Sequence, residues 1–550
     1  MNLTALIIIT AAVLLMCVFS DRLSGKIGVP ALLIFIGVGM FFGTDGVLKI
    51  PFENYAFSSN VCEAALIVIM FTGGFSVKWE TAKPVMVKAC LMSTLGVAVT
   101  AGVTALFCYI VLNFGAAESF LMGAVISSTD AASVFSVLRS KKLNLKNGLA
   151  PLLEVESGSN DPFSYMLTVI ALALLGGEDT ASVPLMVLSQ LFFGVIFGVA
   201  VGAAMVFVVK HFKAATDGFE CIMFLAAALF AYGLPSILNG NGYLSVYIAG
   251  IILGNANIPA KRETVVFLNG VTGLCQILVF FLLGLLSTPS KFIESLLPAV
   301  LIFLCLTLVS RPVAALLFCG KSPIKDRVFI SLAGLRGASS IVFAIMAVVN
   351  GKSTEHNIFN IVFCICLLSM LVQGTLLPTA AGKLGLIDEG ENVLRTFNDY
   401  REENAMSMMR LFISDGHPWI GKKICDVHFP TGSLAVMIKR GQENIIPRGG
   451  TEICAHDSII LSVPPYDEDK SFKLREIHIR GSHPWLGQKI KELNLPDRLL
   501  IVLVKRGDQS IIPEGATEIR GGDIVVVTDT LEEETKAPAK GGSEITINSH

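Results

Sequence analysis

The feature that most constrains this chain is a succession of apolar segments, most of them long enough to cross a hydrocarbon core of about 30 Å, that fills the first 385 residues. Thirteen such segments are expected, from residues 3–20 to residues 358–384, with the second (29–42) and the ninth (244–253) the shortest. Lipid offers the backbone no hydrogen-bond partners, so each segment is expected to be a helix. Residues 3–20 lack a basic region and lead straight into the next span, which makes them a first helix and not a signal peptide. Past residue 385 the apolar runs give way to a charged, turn-rich tail. The expected organisation is a membrane domain at 1–385, a linker at 386–405, two small α+β regulatory domains at 406–465 and 466–530, and a disordered polar end at 531–550.

Charge is scarce: 16% of the 550 residues, with a formal net charge of −2. A nucleic-acid binder would show a basic patch or stripe, and none is evident. What basic residues there are alternate between connections. One set carries sixteen Lys and Arg, among them Lys78, Lys88, Lys141 and Lys325, and the other only Lys49, Lys291 and Lys352. Basic loops stay in the cytoplasm, so the N-terminus is expected outside an inner membrane and, after an odd number of spans, the tail inside. The twelve cysteines are scattered and specify no disulfide framework. Cys425 with His428 and Cys454 with His456 lack the C-x2-C hairpin of a zinc site. No resident cofactor and no enzymatic activity are expected.

Against this background two acidic dipeptides stand out, Thr129-Asp130 after Ser127-Ser128 in the fifth span, and Asn160-Asp161 within Glu156-Ser157-Gly158-Ser159-Asn160-Asp161-Pro162 in the sixth. An ionisable group at bilayer depth costs about 2.5–3.5 kcal/mol even on the lenient insertion scale, so its presence points to an ion or proton pathway. Hydroxyls and carbonyls cluster where the fifth helix could open and expose backbone oxygens to a cation. Seven spans later Ala333-Gly334-Leu335-Arg336-Gly337-Ala338-Ser339-Ser340 places another glycine-flanked charge in a span. Matching interrupted helices suggest two structurally related halves and crossed, broken helices. Asp161 could hold a proton or a monovalent cation but not both comfortably, and such competition is exchange. Ser157 lies on the same helical face as Asp161. Glu156 is the expected buried partner of Arg336, whose charge would otherwise be uncompensated.

These residues resemble the monovalent cation:proton antiporter-1 family, on Ser128-Thr129-Asp130, the segment from Glu156 to Pro162, Phe280-Phe281-Leu282-Leu283-Gly284 and Gly334-Leu335-Arg336-Gly337-Ala338. The resemblance implies that Asp161 binds the ion and the proton, with Ser157 and Thr129 as oxygen ligands, Asp130 beside it in the crossing region, and Asn160 in place of a second aspartate found in electrogenic relatives. It also implies that Glu156 and Arg336 form a structural ion pair. Thr72 stands in Phe71-Thr72-Gly73-Gly74 where many members carry a glutamate.

The tail repeats itself at a constant offset of sixty-six: His417-Pro418-Trp419 recurs as His483-Pro484-Trp485, Lys439-Arg440-Gly441 as Lys505-Arg506-Gly507, and Asp457 as Asp523. An ungapped repeat means two copies of one compact strand-rich unit, joined by a linker at 464–469. Each copy resembles the C-terminal subdomain of the regulator-of-potassium-conductance module. No G-x-G-x-x-G follows a strand, so the nucleotide-binding half of that module is expected to be missing. The resemblance implies a small anionic effector such as a cyclic dinucleotide, with Lys439, Arg440, Lys505 and Arg506 as candidate contacts. The expectation is an inner-membrane, homodimeric antiporter that exchanges potassium or sodium for protons by alternating access, electroneutrally, in cation and pH homeostasis. A ligand-gated potassium channel would need a T-V-G-Y-G-like filter, which is missing. An ion-sensing membrane receptor remains the other alternative.

Overall fold

The computed structural model describes residues 3–27, 31–141, 143–177, 180–211, 219–258, 261–320, 322–350, 355–388, 407–427, 429, 433–441, 443–463, 472–480, 483–493, 495, 499–507, 509–511 and 513–530. The expected linker from residue 389 on, the joint at 464–469, His428 and the polar end 531–550 lie outside the described residues. The chain divides into two compact units, Met1–Arg401 and Glu402–His550.

The first unit is a bundle of apolar helices. Among the described residues seven are long and apolar enough to cross a membrane, Tyr55–Ser76, Met86–Val111, Val183–His211, Phe219–Ile237, Glu263–Leu286, Pro289–Phe318 and Ile358–Leu384, and five more apolar helices are shorter. Leu149–Leu175 matches them in length but carries Glu154, Glu156 and Asp161. Helices Ala31–Phe42 and Lys261–Leu286 meet backbone to backbone at Gly39 and Gly284, where a Cβ on either glycine would run into the other chain. Apolar tails cannot drive helices together in lipid, so such close van der Waals contact does.

Two spans are broken where the sequence places hydroxyls and glycines. One is Ala116–Val125 and Ala131–Ser140 with residues 126–130 unwound between them, and the other is Ile324–Leu332 and Ala338–Val349 with residues 333–337 unwound. Short polar side chains favour such breaks because they bond to nearby backbone in place of the helix ladder. Ser127 Oγ donates to Ala124 O at 2.7 Å, and the Asp130 carboxylate accepts from Ser133 N at 3.2 Å and Ser133 Oγ at 2.6 Å. Asp130 is thereby the N-cap of the second half-helix. Among the described residues three other helices contain a single π-helical turn, at Met92–Gly96, Leu306–Ser310 and Ser369–Gln373. The extra residue in such a turn re-aims the side chains that follow, a device frequent at functional sites.

In the second unit each sequence copy folds into a four-stranded antiparallel sheet. Strands β1 (Ser407–Phe412), β2 (Leu434–Arg440), β3 (Glu443–Ile445) and β4 (Ser458–Val463) are ordered β1-β4-β2-β3. Strands β5 (Phe472–His478), β6 (Leu499–Arg506), β7 (Gln509–Ile511) and β8 (Ile524–Thr530) repeat that order as β5-β8-β6-β7. The same register irregularity recurs between Ala435 and Met437 and between Ile501 and Leu503. Ile438, Ile453 and Ile459 are fully buried in one core, and Val504, Ile519 and Val525 at the equivalent places in the other. The α+β expectation is corrected for the described residues. They contain only single 3₁₀ turns, Ile424–Asp426 and Ile490–Glu492, because glycines, prolines and short turns fill the connections where a helix would need room.

Candidate functional site

The two breaks face each other. Asp130 N donates to Leu335 O at 2.8 Å, and a Cβ on Gly337 would collide with the Asp130 carboxylate, so only glycine lets the two unwound segments approach this closely. Arg336, 2% exposed, donates through Nη1 to Ile126 O and to Ser128 O at 2.7 Å. Those carbonyls follow the C-terminal end of half-helix Ala116–Val125, where orphaned carbonyls carry partial negative charge and a cation is stabilising. Arg336 N in turn donates to Ser369 Oγ at 3.0 Å, tying the second break to the π-helical turn of the last span.

Asp161 lies against this junction, 4% exposed. Its Oδ1 accepts from Ser128 Oγ of the first break and its Oδ2 from Ser339 Oγ at 2.8 Å, just past the second. Ser339 stands in the first turn of Ala338–Val349, whose positive N-terminal end favours an anionic group. One buried carboxylate is thus held by hydroxyls from both broken helices. Such hydroxyls can donate to a carboxylate or, rotated, offer oxygen to a hard cation.

The other expected site residues surround Asp161 in different roles. Asn160 donates through Nδ2 to Thr129 Oγ1. Ser157 Oγ donates to Thr129 O at 2.8 Å and accepts from Ala131 N at 2.9 Å, so its hydroxyl ties the unwound segment to the start of the second half-helix. Thr129 therefore presents both its oxygens to the Leu149–Leu175 helix. Asp130 is engaged as the helix cap. Thr72 donates to Val68 O at 2.9 Å and receives a 2.9 Å hydrogen bond from Thr272. Ser128 and Ser339, the hydroxyls that touch Asp161, were not singled out by sequence, although both flank the two interruptions.

The expected pairing of Glu156 with Arg336 is corrected. Glu156 Oε1 is bound by Arg311 Nη1 at 2.7 Å, with the two side chains 1% and 2% exposed. Arg311 immediately follows the π-helical turn Leu306–Ser310, which turns it inward, and Gly334 leaves the space its guanidinium occupies. Arg336 instead finds its partners in backbone carbonyls. The sequence signal for the true partner was present: an arginine in Ser310-Arg311-Pro312, within an otherwise apolar span.

In the tail the expected basic residues have partners within their own copies. Arg440 grips Asp457 in a two-pronged contact, Nε to Oδ1 and Nη2 to Oδ2 both at 2.8 Å, and donates to Glu452 O at 2.9 Å. Arg506 makes the same contacts with Asp523 at 2.9 and 2.8 Å, and with Glu518 O at 2.8 Å. Asp457 and Asp523 are almost wholly buried. These arginines close the sheets of their own copies through Nε and Nη2, while 38% and 30% of their side chains stay exposed. Lys505 pairs with Glu476 at 2.7 Å on the exposed face.

A buried carboxylate held between two broken helices, in a bundle of membrane-length helices, defines the class of monovalent cation/proton exchangers. Residues 8–382 match the family described as sodium/hydrogen exchanger, transmembrane, and residues 408–473 and 474–533 each match the TrkA-C domain. The chain belongs to the sodium/hydrogen exchanger family and carries two TrkA-C domains. It is 32% identical over 468 residues to the K(+)/H(+) antiporter NhaP of Alkalimonas amylolytica, covering 84% of this chain and 81% of the relative. It is also 32% identical over 469 residues to the K(+)/H(+) antiporter NhaP2 of Shewanella baltica, at the same coverage. The solved structure of the sodium proton antiporter MjNhaP1 from Methanocaldococcus jannaschii shares its fold, with a TM-score of 0.62 at 20% identity over 70% of this chain and 99% of that one.

Proposed function

We propose that this protein exchanges potassium or sodium for protons by alternating access, with Asp161 as the carboxylate that carries each in turn. The observation that supports this most is the single buried carboxylate held by hydroxyls from both broken helices. A cation entering the junction would take Asp161 and rotated hydroxyls as ligands, and a proton arriving from the other side would displace it. The names of the two relatives favour potassium. Exchange is electroneutral in this proposal because the neighbour of Asp161 is Asn160, an amide engaged with Thr129 that cannot carry a second proton.

In the same proposal the first unit crosses an inner membrane thirteen times as a homodimer. Its N-terminus is outside and its tail inside, in keeping with the uneven distribution of Lys and Arg between connections. The TrkA-C domains regulate exchange through a small anionic effector. Lys439, Arg440, Lys505 and Arg506 are the candidate contacts in this proposal, the two arginines through the part of each side chain that its aspartate leaves exposed.

Everted vesicles or proteoliposomes carrying a pH probe test the central claim. Addition of potassium, sodium or lithium should release protons in the wild type. Asp161→Asn should abolish that movement while the protein still inserts and melts cooperatively in detergent. Near-normal cation-dependent proton movement in the variant would remove Asp161 from the mechanism. Uptake that follows an imposed voltage would overturn electroneutrality.

A further inference from the structure

We propose that Glu118, Glu355 and His356 form a binding site for a divalent transition-metal cation, with zinc the best match, at the end of the bundle where the two broken helices begin and finish. Glu118 stands in the first turn of Ala116–Val125, the leading half of the first broken helix. Glu355 and His356 lie in the connection from the second broken helix, which ends at Val349, to the helix that begins at Ile358. One ligand atom from each of the three lies within 4.8 Å of the others.

The spacing of the ligand atoms suits a metal ion. Two ligand atoms each about 2.1 Å from a tetrahedral zinc are separated by roughly 3.4 Å. His356 Nδ1 and Glu118 Oε1 are 3.3 Å apart, longer than the usual N–H···O hydrogen bond of about 2.7–3.2 Å. The arrangement is also held in advance. The imidazole stacks on Phe114 with ring centroids 3.9 Å apart and planes 17° from parallel, and Glu118 Oε1 accepts from His356 N at 3.0 Å. Such supporting contacts orient a ligand and raise metal affinity. Glu118 is buried and Glu355 exposed, so a hydrated cation could enter past Glu355 and lose water against Glu118. Imidazole with carboxylates favours zinc and its neighbours over calcium or magnesium, which prefer all-oxygen sets. Three protein ligands leave the fourth position to water. A bound ion would clip the start of one broken helix to the chain leaving the other.

The test uses the full-length protein in detergent, stripped with a chelator and titrated with zinc chloride, with binding followed by calorimetry and by melting temperature. A saturable rise in melting temperature is expected with zinc and none with magnesium. His356→Gln and Glu355→Gln should each weaken zinc binding by at least about tenfold, and because Glu355 is exposed its variant should fold normally. Absence of a zinc response in the wild type would overturn the proposal. So would an unaltered response in both variants, which would place the metal elsewhere, for instance at Cys425 or Cys454 in the tail.

Discussion

At the scale of single residues, the membrane unit depends on two buried arginines with different kinds of partner. Arg311 is compensated by the Glu156 carboxylate and Arg336 by carbonyls at the end of a half-helix. Removing one member of a buried ion pair leaves the other charge stranded and costs roughly 3–5 kcal/mol. Glu156→Gln and Arg311→Met should each lower stability strongly, while the double variant should lose far less than their sum. Pairing Glu156→Gln with Arg336→Met should instead give losses close to additive. Thermal unfolding in detergent measures both cycles. A larger coupling between 156 and 336 than between 156 and 311 would contradict the observed pairing.

At the scale of elements, each tail sheet is closed by an arginine at the end of a central strand and an aspartate just before its neighbour. In the second copy these are Arg506, which ends β6, and Asp523, which precedes β8. The hydrogen bond from Arg506 holds the Asp523 carboxyl below the usual carboxylate range, against the opposing effect of burial. A depressed folded-state pKa contributes stability that is present above the unfolded value of about 3.9 and is lost as pH falls through the folded value. Asp523→Asn should therefore destabilise this sheet at neutral pH by about 1.5–3 kcal/mol, the range for hydrogen bonds to charged groups. The deficit should shrink as acid titrates the wild-type carboxyl. Melting temperatures from pH 7 down to 3 test this, and a deficit that grows on acidification would show that the carboxylate does not stabilise the sheet.

At the scale of the whole molecule, the site and the tail belong to separate compact units. Ser128 and Ser339, which bind Asp161, lie in the first unit, and the two sheets have cores of their own. Deleting residues 406–550 should leave a folded exchanger whose level or pH dependence changes while its preference among potassium, sodium and lithium does not. A truncated protein that is stable in detergent yet switches its preferred cation would contradict this division.

Much of this was legible in the chain itself. Long apolar runs determine membrane helices because lipid leaves the backbone no other partner. Asp130, Asp161 and Arg336 announced the site because a charge in lipid is too costly to be incidental. The constant offset between Arg440 and Arg506, and between Asp457 and Asp523, made the tail two copies of one unit before any strand was seen. Tertiary structure alone decided the partners. Both Arg311 and Arg336 are visible in the sequence as charges in apolar spans, and only the packing of the helices decides which of them meets Glu156. Which serines reach Asp161 depends on where two helices unwind, and whether Arg440 and Arg506 face solvent or close a sheet depends on strand register. Residue type states what a side chain can bind, and only the packed chain determines which candidates come within reach.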